Sequence, residues 1–190
     1  MKKSYFLKLL TFLVFITGGQ VYGQSGIHQS YIVLKVNGGS DVTYDLKAIT
    51  AKPDFVSGFG TFESTESLII TGFENITDKC NTDDISAGDL YYRIYLNGTS
   101  PTPWNGLNWS NVTDLGDNPN CTATMDPWND QRQKWDNLGQ SFEVLNGLPS
   151  GIYNFDVYST ANFSYTDNGG GSGLHTAPLI TGDFYQAQFE

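Results

Sequence analysis

Leu90-Tyr91-Tyr92-Arg93-Ile94-Tyr95-Leu96, closed by Asn97-Gly98, is the stretch that decides the fold class. Leu90, Tyr92, Ile94 and Leu96 alternate with Tyr91, Arg93 and Tyr95. Successive side chains of a β-strand point to opposite faces, so a period of two predicts a strand with one buried face. Asn-Gly then supplies turn chemistry, because glycine takes positive φ without a steric penalty.

The same period recurs on either side. Ile32, Leu34 and Val36 alternate with Tyr31, Val33 and Lys35. Asn37-Gly38-Gly39-Ser40 makes a turn, and Val42, Tyr44 and Leu46 return from it, which predicts a hairpin. Leu68 to Thr77 is rich in β-branched residues and reads as a strand bulged at Gly72. Phe142 and Val144 suggest a short strand, and Leu148-Pro149-Ser150-Gly151 a turn. Tyr153, Phe155 and Val157 face one way, with Asn154, Asp156 and Ser159 assigned to the other. Tyr185, Ala187 and Phe189 form a last strand. No helical periodicity and no repeat of solenoid length interrupts this pattern. The expectation is an all-β fold, an antiparallel β-sandwich of Ig-like or jelly-roll-like type with seven to nine strands. Two segments lack the alternation and read as long loops: Thr99 to Pro127, and Asn168 to Gly182 with its glycine run.

Residues 1–23 read as a secretory signal peptide. Lys2 and Lys3 are a positive n-region, Leu9 to Ile16 an apolar h-region broken only by Thr11, and Val21-Tyr22-Gly23 a cleavage site. The apolar run is shorter than the roughly 20 residues that span a bilayer, so membrane insertion is not expected. No cysteine follows the h-region before Cys80, which leaves no lipoprotein attachment site. Residues 24–190 then form a single β-sandwich domain, secreted or held at the cell surface.

Cleavage removes Lys2, Lys3 and Lys8 from ten basic residues, so seven face twenty acidic ones, a net charge near −13. Such a field repels nucleic acid and anionic membrane surfaces. Neutral glycans, cations and basic proteins remain as partners. Cys80 and Cys121 are the two cysteines, and an oxidising compartment predicts a disulfide between them. Closing a loop of about 40 residues would stabilise the fold by about 4 kcal/mol.

Four stretches together resemble a known module. They are Gly58-Phe59-Gly60-Thr61-Phe62 ahead of Leu68-Ile69-Ile70; Asp89 to Tyr95; Gly147 to Tyr153; and Asp167-Asn168-Gly169-Gly170 followed by Phe184 to Phe189. In that order they are similar to a β-sandwich module of exported multidomain proteins of Bacteroidota-type bacteria, often found beside hydrolase or nuclease domains. The resemblance covers most of the chain after about Asp54. It implies export and an accessory role, and it carries over no catalytic residues. The Asp-Asn-Gly-Gly stretch also resembles part of some starch-binding modules. An insertion of roughly Gly171 to Asp183 departs from the module, and no second or sorting domain is seen.

The candidate binding region is the Trp- and Asp-rich segment from Thr99 to Asp136. It holds all four tryptophans: Trp104, Trp109, Trp128 and Trp135. Exposed indoles stack on the apolar faces of sugar rings, and Asn105, Asn108, Asn129 and Gln133 could satisfy hydroxyls. The alternative is that the indoles pack and pin the loop. Asp114, Asp117, Asp126 and Asp130 crowd the same segment. Hard oxygen ligands suit a structural calcium, although their spacing matches no EF-hand. Solvated loop acids are the simpler account.

Catalytic signatures are thin. His28 and His175 are the only histidines, and no serine stands in a nucleophile-elbow context. No carboxylate pair is selected by spacing. Asn75, Asn97, Asn108, Asn111, Asn120 and Asn162 begin Asn-x-Ser/Thr triplets, as Asn- and Thr-rich loops will. The functional expectation is a secreted, non-catalytic binding module for an extracellular glycan or a surface protein. The alternatives are a structural or adhesive envelope protein, then a small secreted hydrolase.

Overall fold

A computed structural model describes residues 25–80, 83–117, 131–166, 170–178 and 182–190. It contains ten strands: β1 (Gly26–Val36), β2 (Asp41–Asp45), β3 (Leu68–Lys79), β4 (Asp84–Leu96), β5 (Asn105–Asn108), β6 (Asn111–Asp117), β7 (Gln131–Glu143), β8 (Tyr153–Tyr165), β9 (Gly171–Ala177) and β10 (Tyr185–Phe189). One sheet runs β2-β1-β3-β7-β6; the other runs β10-β8-β4-β5, with β9 also beside β8. Every strand pair is antiparallel, so the fold is the expected all-β sandwich. Among the described residues no α-helix occurs, and so no helix is long and apolar enough to cross a membrane. The signal segment lies outside the described residues.

Alternation produces the core. Ile32 and Leu34 of β1, Leu68, Ile70 and Phe73 of β3, Leu90 of β4, and Phe155 and Val157 of β8 are all fully buried. Phe55, in a single 3-10 turn, adds an edge-on contact to Phe155 at 5.2 Å. Removing such a ring would cost about 3–5 kcal/mol. The hairpin closes as expected, with positive φ at Asn37 and Gly38 and Leu34 opposite Val42. The bulge falls at Gly72, where the β3 register shifts against both β1 and β7. A Cβ on Gly72 would sit 2.5 Å from the Asn137 carbonyl oxygen, so the close approach of β7 requires glycine.

Sequence and structure part where polar residues pair. The short strand expected at Phe142 and Val144 is the tail of β7, which is thirteen residues long and ends at Glu143, just before Val144. The loop expected from Thr99 to Pro127 contains β5 and β6, and the irregular stretch from Asn168 contains β9. All seven β6 residues are exposed, so nothing in them alternates; pairing with β7 makes the strand. Ten strands therefore stand where seven to nine were expected. Ser159 faces inward rather than outward, because it shares the parity of Val157. Its hydroxyl meets Ser30 Oγ at 2.7 Å between the sheets, both residues fully buried.

The long strand β8 positions the site. β4 pairs along its whole length on one side. On the other side β10 takes Tyr153 to Val157 and β9 takes Ser159 to Tyr165, end to end. Tyr158 falls at the junction. The outer edge of β10 is closed by residues 59–62: Phe59 N–H donates to Gln188 O at 3.0 Å, and Glu190 N–H to Gly60 O at 2.9 Å.

Candidate functional site

The outward face of β4 and β8 is built by the off-beat residues of the two alternating strands. Across the ladder Tyr91 stands opposite Tyr158, Arg93 opposite Asp156, and Asp89 opposite Thr160. The two tyrosine rings stack at 4.7 Å with 12° between their planes. Trp104, entering ahead of β5, meets Tyr158 edge-on at 4.7 Å. On the far side Gly182, Asp183 and Phe184 approach from the connection between β9 and β10. Phe184 lies 6.0 Å from the Trp104 ring. A groove of about 370 Å³ results, walled by Tyr91, Trp104, Tyr158 and Leu174, with Asp89, Thr160, Asn162, Thr176 and Asp183 as its polar groups. That volume and that mix of rings with a few polar groups suit a small ligand.

Trp104 is held by a buried charge pair. Asp156 is fully buried; its Oδ2 accepts from Arg93 Nε at 2.8 Å and its Oδ1 from Gln186 Nε2 at 2.7 Å. The guanidinium lies 4.1 Å above the Trp104 ring, 4.9 Å from the Phe184 ring and 5.5 Å from the Tyr95 ring. An arginine fixed beneath an indole locks that wall before any ligand arrives. Asp89 is anchored too, accepting from Asn108 Nδ2 at 2.6 Å and from the Tyr91 hydroxyl at 3.2 Å. Burial raises the phenol pKa values of Tyr91 and Tyr158, and the Asp89 charge raises them further, so both remain hydroxyl donors.

The structure divides the tryptophans. Trp104 joins the groove. Trp109 is 9% exposed and lies inside the sandwich against Gly88, where a Cβ would come within 2.6 Å of its ring. Trp135 packs 5.3 Å from Trp109 and donates its Nε1–H to Thr77 Oγ1 at 3.1 Å. These two indoles are packing residues, Trp109 within the core and Trp135 packed against it. Trp128 and Asn129 lie outside the described residues. Asn105 and Asn108 are exposed on β5, and of the two Asn108 reaches the groove, through Asp89. Gln133 turns its Oε1 to the interior, without a hydrogen-bond partner among the described residues.

For calcium, Asp114 and Asp117 sit on β6, and Asp114 is occupied with its own turn, accepting from Gly116 N–H at 2.8 Å. Asp126 and Asp130 lie outside the described residues. Among the described residues no three His, Cys, Asp or Glu side chains gather as metal ligands. Cys80 is 2% exposed, and Cys121 lies outside the described residues. Asn75 is fully buried, which removes one of the Asn-x-Ser/Thr positions from the surface.

His175 meets a serine: its Nε2 lies 3.0 Å from Ser25 Oγ, with the imidazole stacked on Phe163 at 4.1 Å. Burial lowers its pKa, against the opposing charge of Asp83. Ser25 is 6% exposed, which suits a link between β1 and β9 better than a nucleophile. A larger concavity, about 470 Å³, lies at one end of the sandwich and carries Glu63, Glu66 and Glu143. Two of these acids secure loops. Glu66 accepts from Asn37 Nδ2 and from Glu63 N–H, and Glu143 from the Leu68 and Leu145 amides. The smaller groove is the better site because Tyr91, Trp104 and Tyr158 line it together with Asp89 and Asp183.

Sequence reasoning passed over Tyr91, Tyr158, Thr160, Asn162, Thr176 and Asp183. The available sign was aromatic residues on both faces of β4, since a solvent-facing strand surface is ordinarily polar. No protein-family model matches this chain, and neither does any curated protein or solved structure.

Proposed function

We propose that this protein is a secreted, non-catalytic module that binds an extracellular glycan in the groove over β4 and β8. The observation that carries the proposal is the stacked Tyr91–Tyr158 pair with Trp104 at right angles to it, bordered by Asp89, Thr160 and Asn162. Pyranose rings present flat C–H faces to aromatic rings, and their hydroxyls need a few fixed polar partners. The likeness to an exported accessory module points the same way, as does the signal-peptide pattern of residues 1–23. A Cys80–Cys121 disulfide and export belong to this proposal.

The test is a glycan array probed with the purified protein, followed by titration of the best ligand into Tyr158→Ala and Trp104→Ala. Each substitution should weaken binding at least tenfold. A blank array, or affinity untouched by either substitution, would remove the proposal. Release of new reducing ends from a bound glycan would instead favour the hydrolase reading, with Asp89 and Asp183 as the groove's carboxylates.

One observation supports the adhesive alternative. The strand β6 is exposed throughout, presents Val112 at 52% and Leu115 at 48% exposure, and among the described strands is paired on one side alone, an edge that could pair with another chain.

A further inference from the structure

We infer that the ligand of this groove is cationic: a glycan that carries a free amino group, of the glucosamine type, rather than a neutral or acidic one. The inference rests on the proposed function above and adds the charge of the ligand to it.

Among the described residues the groove is lined by two carboxylates, Asp89 and Asp183, and by no lysine, arginine or histidine. Arg93 lies against Trp104 and is neutralised by the fully buried Asp156. The local field is therefore negative, inside a chain whose formal net charge is already −10. A uronate, sialate or sulfated sugar would bring a second negative charge against it, which is unfavourable in a groove with low-dielectric walls.

The geometry also suits a cation positively. Asp89 is fixed by neutral donors, Asn108 Nδ2 on Oδ1 and the Tyr91 hydroxyl on Oδ2. A carboxylate has about four acceptor positions, so each oxygen keeps capacity for a further donor. An ammonium offers three donors and no acceptor, which matches an anchored carboxylate beside hydroxyl and amide oxygens. Tyr91, Tyr158 and Trp104 border the same groove as Asp89, so an ammonium there would lie beside electron-rich rings. An amino sugar supplies both halves: a flat ring to stack and an ammonium next to it.

The test compares three oligosaccharides of equal length by calorimetry at pH 5.5: deacetylated chitosan, its fully N-acetylated counterpart, and oligogalacturonate. The expected result is at least tenfold tighter binding of the deacetylated oligomer than of the acetylated one, with no binding of galacturonate. The advantage should fade as pH rises and the sugar amine loses its proton. Asp89→Asn should remove most of the advantage. Because a polycation could adhere to any acidic surface, Tyr158→Ala is measured in parallel and should abolish binding. Retained binding in Tyr158→Ala would overturn the inference, since charge alone would then suffice. Equal or tighter binding of the acetylated oligomer would overturn it too, while leaving a glycan groove in place. Failure of all three oligomers to bind, together with a blank array, would remove the groove itself.

Discussion

Trp104 and Trp109 stand five positions apart in sequence and on opposite faces of one sheet. Four residues of β5 separate them, and the strand moves the chain from the outer surface to the interior. Trp104 leans on an arginine and two aromatic rings and keeps part of its surface in solvent. Trp109 lies flat on Gly88 beside Trp135 and is 9% exposed. The same side chain thus borders the groove on one face and packs the core on the other. Which role it takes is decided by the neighbour across the strand: a tyrosine pair in the first case, a glycine in the second.

The contrast breaks most visibly in the interior. Trp109→Ala should lower stability by about 3–5 kcal/mol, measured by urea denaturation, because it leaves a large cavity between the sheets. A loss below about 1 kcal/mol would mean that the interior does not depend on this ring. Asn75 lies in the same region, opposite Trp135 on the β3–β7 ladder, fully buried, with neither polar atom of its amide bonded among the described residues. Asn75→Leu should therefore raise stability by about 1–3 kcal/mol, since an unsatisfied buried amide is replaced by apolar volume. A destabilised variant would show that the amide has a partner of its own.

A third measurement sharpens the contrast through pH. Burial, reinforced by the charge of Asp45, pushes the pKa of Tyr185 up to about 12 from an ordinary value of 10.0. A raised folded-state pKa means that this contribution is intact below pH 10 and is lost as pH climbs from there toward about 12. Melting temperature should fall across that window, and Tyr185→Phe should flatten the fall. The smallest expected effect belongs to the outer face. Trp104→Ala should cost about 1 kcal/mol of stability, with the larger change seen in ligand affinity. A loss comparable to that of Trp109→Ala would make both indoles structural and would turn attention to the open edge of β6.

The legible part of the fold is the part whose apolar residues recur in strand fashion. β1, β2, β4, β8 and β10 announce themselves by alternation of apolar residues, and β3 by its β-branched content. β5, β6 and β9 leave no such imprint. Their residues are mostly exposed or small, and their conformation is imposed by the strands they border. The site was legible only in part for a related reason. A cluster of tryptophans along the chain says nothing about which sheet face each will reach. The pairing of Tyr91 with Tyr158 joins positions on two different strands through a register no single strand reveals. Trp104 and Asn108 were within reach of sequence reasoning; the tyrosine platform was visible only as an oddity on the outward side of β4.

The end-to-end arrangement of β9 and β10 beside β8 has a consequence for how this protein could diversify. The connection between Ala177 and Tyr185 contributes a groove wall, yet the ladders on either side of Tyr158 close independently of its length. Doubling a flexible connection adds only about 0.6 kcal/mol of closure entropy. New residues could therefore be spliced in there, or old ones exchanged, while the scaffold stays indifferent. The stretch from Gly171 to Asp183 includes β9 and most of that connection. Evolution would have an interchangeable part to work on, between two strands that abut on a shared neighbour.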